Sequence, residues 1–377
     1  MLRPGQTLDL VATCSRGVEE VLAAELRSIG AAAVAPGRGM VSFRGDLAAV
    51  YEANLRLRTA MRVLVRLAEG QVRDRDGLYR LAWEIPWEEL LALEDTFRVD
   101  AVGGHPAFAD SRFPALVVKD AVADRLRRRR GGRPDVDRMD PSVSIHLHLS
   151  RSRASLALDS SGEPLSHRGY RPRGGPAPVA ESLAAALLLL AGYDGSMPLY
   201  DPMCGTGTFL AEAALIAGRI APGIRRRFAV EGWPAHRPAL LDNARSRAAA
   251  VSTPHAVIAG ADGDERAVRA ARRNLQEAGV AAWVEVRRAE LAAMTPPDEA
   301  GLIVTNPPWG RRIGDVETLR PFYRAFGDAL KNRARGWTAW VLLGERELAR
   351  EIGLKPSRRI PVFNGPVECR FCEYRMW

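Results

Sequence analysis

Asp201-Pro202-Met203-Cys204-Gly205-Thr206-Gly207-Thr208-Phe209 stands between an extended stretch, 198–201, and a run of helical periodicity, 209–219. A strand, a glycine-rich turn and a helix in that order form the ligand-binding corner of a doubly wound sheet. Glycine in the turn admits unusual φ and lets a ligand approach the backbone closely. The same alternation surrounds it: a helix over 181–191, a strand over 256–261 with its helix at 265–278, and strands over 283–286 and 302–305. This half of the chain therefore reads as an α/β, Rossmann-like parallel sheet.

A lone Gly-x-Gly also fits a dinucleotide site, but the third glycine of that fingerprint is missing here. Asp201 at the strand end suits a cationic ligand portion, such as the amino group of S-adenosylmethionine, better than a pyrophosphate. Met203, Cys204, Gly205, Thr206, Gly207 and Thr208 complete the candidate cofactor loop. Asp262, ending the second strand, is placed to accept two hydrogen bonds from ribose hydroxyls, whereas Asp264 reads as the cap of the next helix. Glu290 follows the third strand and has two readings: acceptor for an adenine amino group, or solvated loop acid.

Asn306-Pro307-Pro308-Trp309 closes the fourth strand. Two prolines fix a rigid turn that can hold an amide oxygen, a backbone carbonyl and an aromatic face at one spot. That set grips a planar group bearing an exocyclic amine, which makes Asn306, Pro307, Pro308 and Trp309 the candidate catalytic residues, with Asn306 also at the cofactor.

Upstream, strands over 8–13, 39–43 and 61–68 alternate with helices over 18–29 and 46–57, which predicts a small α+β unit of ferredoxin-like type. A second unit spans about 78–159, with strands over 97–103, 142–149 and 153–159 and a helix over 113–126 that runs into Arg127-Arg128-Arg129-Arg130. Segment 166–178 is rich in Gly, Pro and Arg and reads as a linker.

Apolar content of 47% suits a globular chain, and the longest apolar run, 183–191, is too short to span a membrane. No leader pattern is visible at the N-terminus, so a cytoplasmic protein is expected. Cys14, Cys204, Cys369 and Cys372 suggest no disulfide framework, and Cys369-x-x-Cys372 lacks the partners zinc needs. Positive charge is uneven: residues 1–100 sum to −2, 101–180 to +6 and the rest to +5. Such concentration suits a phosphate backbone, the alternative being a general arginine bias.

These motifs, with His167-Arg168-Gly169-Tyr170-Arg171, Glu181-Ser182-Leu183-Ala184-Ala185 and Asn364-Gly365-Pro366, resemble the THUMP-domain RNA guanine-N2 methyltransferases. The N-terminal Ala12-Thr13-Cys14-Ser15-Arg16-Gly17 and Val118-Lys119-Asp120-Ala121 are similar to the same family, and residues 228–233 resemble its 23S rRNA branch. The resemblance implies a ferredoxin-like domain at 1–70, a THUMP domain at 71–165 and a class I methyltransferase domain at 166–377. It implies S-adenosylmethionine as cofactor, RNA as partner, no metal, a monomer, and N2-methylguanosine in 23S rRNA as product. Trp309 stands where the family more often has Tyr or Phe.

RNA contact is expected at Lys119, Arg127, Arg128, Arg129, Arg130, Arg168, Arg171, Arg173, Arg311 and Arg312. For the four-arginine run the other reading is a solvated helix end whose cations favour the dipole. The rival functions are tRNA guanine-N2 methylation, adenine-N6 DNA methylation, protein-glutamine methylation and a non-catalytic RNA-binding assembly factor. The DNA and protein enzymes are distinguished by the absence of a THUMP-like half.

Overall fold

The computed structural model describes residues 5–108, 110, 112–172, 179–310 and 315–377. The N-terminal half contains β1 (Leu8–Thr13), α1 (Glu19–Ser28), β2 (Ala32–Gly37), β3 (Met40–Gly45), α2 (Leu47–Arg56) and β4 (Arg62–Gln71). It continues through α3 (Arg75–Trp83), β5 (Thr96–Gly104), α4 (Phe113–Arg130), β6 (Asp135–Val136), β7 (Val143–Ser150) and β8 (Arg153–Asp159). The order β2-β3-β1-β4-β8-β7-β5-β6 makes these one eight-stranded sheet.

The join is β4. Its first half pairs with β1, Leu10 opposite Val65, and its length pairs with β8 from Leu64↔Asp159 to Gln71↔Arg153. The ferredoxin-like and THUMP-like units foreseen as separate therefore share a ladder. Sequence periodicity missed β2, whose residues are almost all exposed and carry no alternation, and α3, whose start is capped by the Asp74 side chain accepting from the Gly77 N–H.

The C-terminal half contains α5 (Glu181–Leu190), β9 (Leu199–Asp201), α6 (Thr208–Ala217), α7 (Pro238–Ala248), β10 (Ile258–Asp262), α8 (Glu265–Ala278) and β11 (Val284–Arg288). It ends with β12 (Gly301–Thr305), α9 (Asp315–Arg333), β13 (Trp337–Leu343), α10 (Arg346–Glu351), β14 (Arg358–Asn364) and β15 (Val367–Arg375). The seven strands run in the order β11-β10-β9-β12-β13-β15-β14. Contacts among β11, β10, β9, β12 and β13 are parallel, while β15 enters antiparallel. The order reverses between β9 and β12, so the crevice for a ligand opens at the carboxyl ends of those two strands. Asp264 caps α8 as expected, accepting from the Arg266 N–H at 2.8 Å, and Gly279 ends that helix at φ +74°.

The halves are tightly joined. The Phe363 N–H donates to the Arg16 carbonyl at 2.9 Å, and the Arg16 guanidinium lies 3.6 Å from the Phe363 ring centre. The Tyr51 hydroxyl meets His236 Nδ1 at 2.8 Å, and the Val230 N–H donates to the Ser160 carbonyl at 3.1 Å.

Segment 166–172 is no loose linker. Ser166, Arg168 and Tyr170 are buried, and Arg168 forms an ion pair with Glu212 in the middle of α6. Residues 173–178 lie outside the described residues.

Candidate active site

A cleft of about 650 Å³ opens where the ends of β9, β10, β11 and β12 converge. Each strand delivers its residues through the turn that follows it. After β9, Gly205 at φ +53° and Gly207 at φ +80° bend the chain into α6, and the Cys204 N–H donates to the Ala261 carbonyl at 2.9 Å. A Cβ on Gly207 would lie 3.0 Å from that of Ala271, so the loop can rest on α8 only with glycine there. Asn274 of α8 pins the loop from below by donating to the Thr206 carbonyl at 2.9 Å.

Asp262 ends β10. One carboxylate oxygen accepts the Gly205 N–H at 2.9 Å and the other accepts the Asp264 N–H at 2.9 Å. An ionised carboxylate offers about four acceptor sites, so acceptor capacity remains on a side chain that lines the cleft. Glu290 stands across from it after β11, exposed and close to Gly263: a Cβ there would come 3.2 Å from Glu290 Oε2.

Asn306, Pro307, Pro308 and Trp309 form the opposite wall. Asn306 Oδ1 is buried and accepts no hydrogen bond among the described residues. A buried amide oxygen without a donor is costly, on the order of 1–3 kcal/mol, unless a ligand completes it. The turn is held from two sides. The Tyr323 hydroxyl of α9 donates to the Pro308 carbonyl at 3.0 Å, and the Trp309 indole N–H donates to the Leu342 carbonyl at 3.2 Å. The indole packs on Gly344, where a Cβ would come within 2.6 Å of the ring.

Asp201 is not on the wall. It is buried beneath the cleft, where one oxygen accepts the Thr305 hydroxyl at 2.7 Å and the Met203 N–H at 3.1 Å, tying the end of β9 to the end of β12. Burial pushes its carboxyl up to about 7, against the hydroxyl and amide that favour the charged form. Cys204 is likewise buried; loss of solvent raises its thiol, and the Asp201 and Asp262 charges add to that. It has the environment of a packing residue, not a nucleophile.

Of the sequence candidates, Met203, Gly205, Asp262, Glu290, Asn306, Pro307, Pro308 and Trp309 share the cleft. Cys204, Thr206, Gly207 and Thr208 shape the loop behind it. Sequence reasoning missed Leu291 and Phe322, which add apolar wall. Leu291 could have been found as the apolar neighbour of Glu290; Phe322 lies on α9 with nothing to mark it.

The basic candidates divide. Arg168 and Arg171 do not face solvent as phosphate ligands, and that expectation is corrected. Arg168 is buried against Glu212 and donates to the Leu165 and Arg58 carbonyls. Arg171 pairs with the buried Glu181 at 2.7 Å and donates to the Thr208 hydroxyl at 3.0 Å, bracing the first residue of α6. Isolated acids in the apolar helices α5 and α6 required these partners.

Arg127, Arg128, Arg129 and Arg130 are all exposed on the last turn of α4. Arg129 lies 3.9 Å from Glu88, Arg130 donates to the Glu88 carbonyl, and Arg128 sits 6.0 Å from the Trp83 ring centre. Lys119 pairs with Asp120 at 2.7 Å and lines a cleft of about 750 Å³ with Arg98, Arg112 and Arg138. Arg173, Arg311 and Arg312 lie outside the described residues.

No cluster able to hold a metal occurs among the described residues. Cys369 and Cys372, an odd number of positions apart on β15, face the two opposite sides of the sheet and belong to different apolar clusters.

Three family models divide the chain: an RlmL ferredoxin-like domain matches residues 9–64, a THUMP domain 72–159, and an RMKL-like methyltransferase domain 168–373. A Synechocystis protein named as a putative RNA methyltransferase is 39% identical over 97% of this chain and 96% of its own length. The ribosomal RNA large subunit methyltransferase K/L of Syntrophotalea carbinolica is 42% identical over 96% of this chain but only 53% of its own length, so the chain spans about half of that relative. A crystal structure of a putative methyltransferase complexed with SAH superposes with a TM-score of 0.88, at 28% identity, over 99% of both chains. Matched from the eight-stranded sheet through the cleft, the chain belongs to the RMKL-like methyltransferase family.

Proposed function

We propose that the chain is an S-adenosylmethionine-dependent RNA methyltransferase that forms N2-methylguanosine in 23S ribosomal RNA. The observation that carries this reading is Asn306 Oδ1, buried and lacking a donor on the wall of the cleft. Such an acceptor fits an exocyclic amine. The THUMP match and the K/L relatives support RNA, and ribosomal RNA in particular.

The residues present also fit the cofactor. Asp262 has acceptor capacity left for ribose hydroxyls, Glu290 offers a carboxylate on the cleft lining as acceptor for an adenine amine, and Met203, Gly205 and Leu291 supply a close-approach surface. When bound, the cofactor supplies a methyl group on a sulfonium centre. The chain's part is orientation. Guanine N2 is a poor nucleophile because its lone pair is delocalised into the ring. Asn306 Oδ1 and the Pro307 carbonyl accept hydrogen bonds from its two N–H groups, which fixes the amine and localises the lone pair out of that plane; once methylated, the nitrogen is acidic and releases one of those protons. Holding two reactants in line in this way contributes much of the acceleration. Trp309 offers the base an aromatic surface, a stacking contact of about 1–3 kcal/mol. A guanosine in a helix must leave the stack to reach this wall.

The test is methyl transfer with labelled cofactor to unmodified 23S rRNA, followed by nucleoside mass spectrometry. N2-methylguanosine is the expected product; N6-methyladenosine, or label in tRNA only, would overturn the assignment.

A further inference from the structure

A second cleft, about 950 Å³, opens beyond the C-terminal end of β13, between α10 and the β14–β15 hairpin. It shares a wall with the methyl-transfer site. Gly344 lines it, and the same glycine supports the Trp309 indole from behind.

Its walls are cationic. Arg346 and Arg350 stand four positions apart on α10, Lys355 follows in the loop, and Arg359 lies on β14. All four are exposed, and among the described residues none is engaged by a carboxylate. The acids on the same walls are largely occupied: Glu368 holds Arg370 at 2.6 Å, and Glu347 turns to Arg320 at 3.1 Å. Glu345 alone is left to oppose four cations.

Exposed arginines without partners repel one another unless an anion lies among them. A single small anion would need donors converging on one point. Here the cations are distributed over a helix, a loop and a strand, which fits an anion that repeats along a chain.

We propose that this trough carries the phosphodiester backbone of the RNA strand adjoining the target nucleotide, an inference that rests on the RNA reading of the neighbouring site. The trough thus adds a grip on the catalytic half, separate from the THUMP-like half. It holds the flanking strand while the target base occupies the Asn306 wall.

The experiment uses the full chain, in vitro transcribed unmodified 23S rRNA as probe, and filter binding over a salt series. Arg350→Ala/Arg359→Ala should weaken binding several-fold and lower the log–log salt slope by roughly 1.4, at about 0.7 per single-strand phosphate. Arg350→Lys/Arg359→Lys should restore most of the slope, because the charge is kept. S-adenosylhomocysteine affinity and the melting temperature serve as controls for an intact fold. Should the double alanine variant melt early, each single variant carries the same readout at half the slope change. Parent-like RNA affinity and slope in the alanine variants would overturn the proposal. A parent chain that binds RNA but methylates none, with the alanine variants still showing the expected slope change, would instead overturn the catalytic reading and leave the trough standing.

Discussion

Arg168 places its Nε 3.4 Å from the Glu212 carboxylate, and both side chains are shut away from solvent. The pair joins the segment entering the catalytic half to the helix that follows the cofactor loop. Tyr170 adds a hydroxyl donor to the same carboxylate at 3.0 Å. Burial nevertheless raises the Glu212 carboxyl, with Arg168 and then Arg58 opposing the shift. Removing one partner strands the other's charge in the core. Arg168→Leu should therefore cost about 3–5 kcal/mol in urea denaturation, while Arg168→Met/Glu212→Leu should recover much of it. If Arg168→Leu unfolds like the parent chain, the pair is not structural.

Asn306→Ala should leave S-adenosylhomocysteine affinity nearly unchanged while methyl transfer falls by orders of magnitude. Asp262→Ala should do the reverse at the binding step, since it loses both the ligand acceptor and the hydrogen bond that holds the Gly205 N–H. Calorimetric titration alongside single-turnover transfer separates the two. Equal turnover in Asn306→Ala would refute the role of the amide.

Gly344→Ala probes the support of the indole. The added methyl would meet the Trp309 ring at 2.6 Å, and the indole N–H is tied to Leu342, so the ring cannot yield without losing that bond. A stability loss of about 1–3 kcal/mol is expected, with turnover falling more than cofactor affinity. A variant with parent melting temperature and turnover would show that the ring position is immaterial.

Asp201→Asn tests a stability that depends on pH. Because the folded carboxyl titrates near 7 and the unfolded one near 3.8, the folded chain retains a proton that the unfolded chain has released. The stabilisation is complete below about 3.8 and is lost as pH rises through about 7, by up to about 1.4 kcal/mol per unit. Asparagine keeps the acceptor for Thr305 and Met203 and cannot ionise. The variant should flatten the slope between about pH 4 and 7 and unfold later than the parent above it. An unchanged slope in denaturation at stepped pH would assign the titration elsewhere.

What the sequence revealed and what it hid follow one physical line. Asp262, Gly205 and Asn306–Trp309 were legible because backbone geometry demands those residue types at strand ends. The partners of Arg168 and Arg171 were not, since Glu212 and Glu181 approach them only through the fold. A clue did exist: each is an acid inside an otherwise apolar helix, Thr208–Ala217 and Glu181–Leu190. Asp201 was legible as a residue of the loop, but its burial was not, because a strand-end carboxylate can turn toward the ligand or toward the neighbouring strand. The edge strand β2 left no signal at all, having no face to bury.

The strand β4 has a practical consequence for dissecting this protein. Ten residues long, it serves as a seam on which β1 and β8 both close their ladders. A cut at residue 70 would not release two tidy modules. One fragment would keep β4 with its β8 side bare, and the other would expose the bare edge of β8. Such unpaired rows of amide and carbonyl groups are templates for self-association. Fragments meant to isolate the eight-stranded sheet should therefore keep β1 through β8 intact and divide the chain only beyond Asp159.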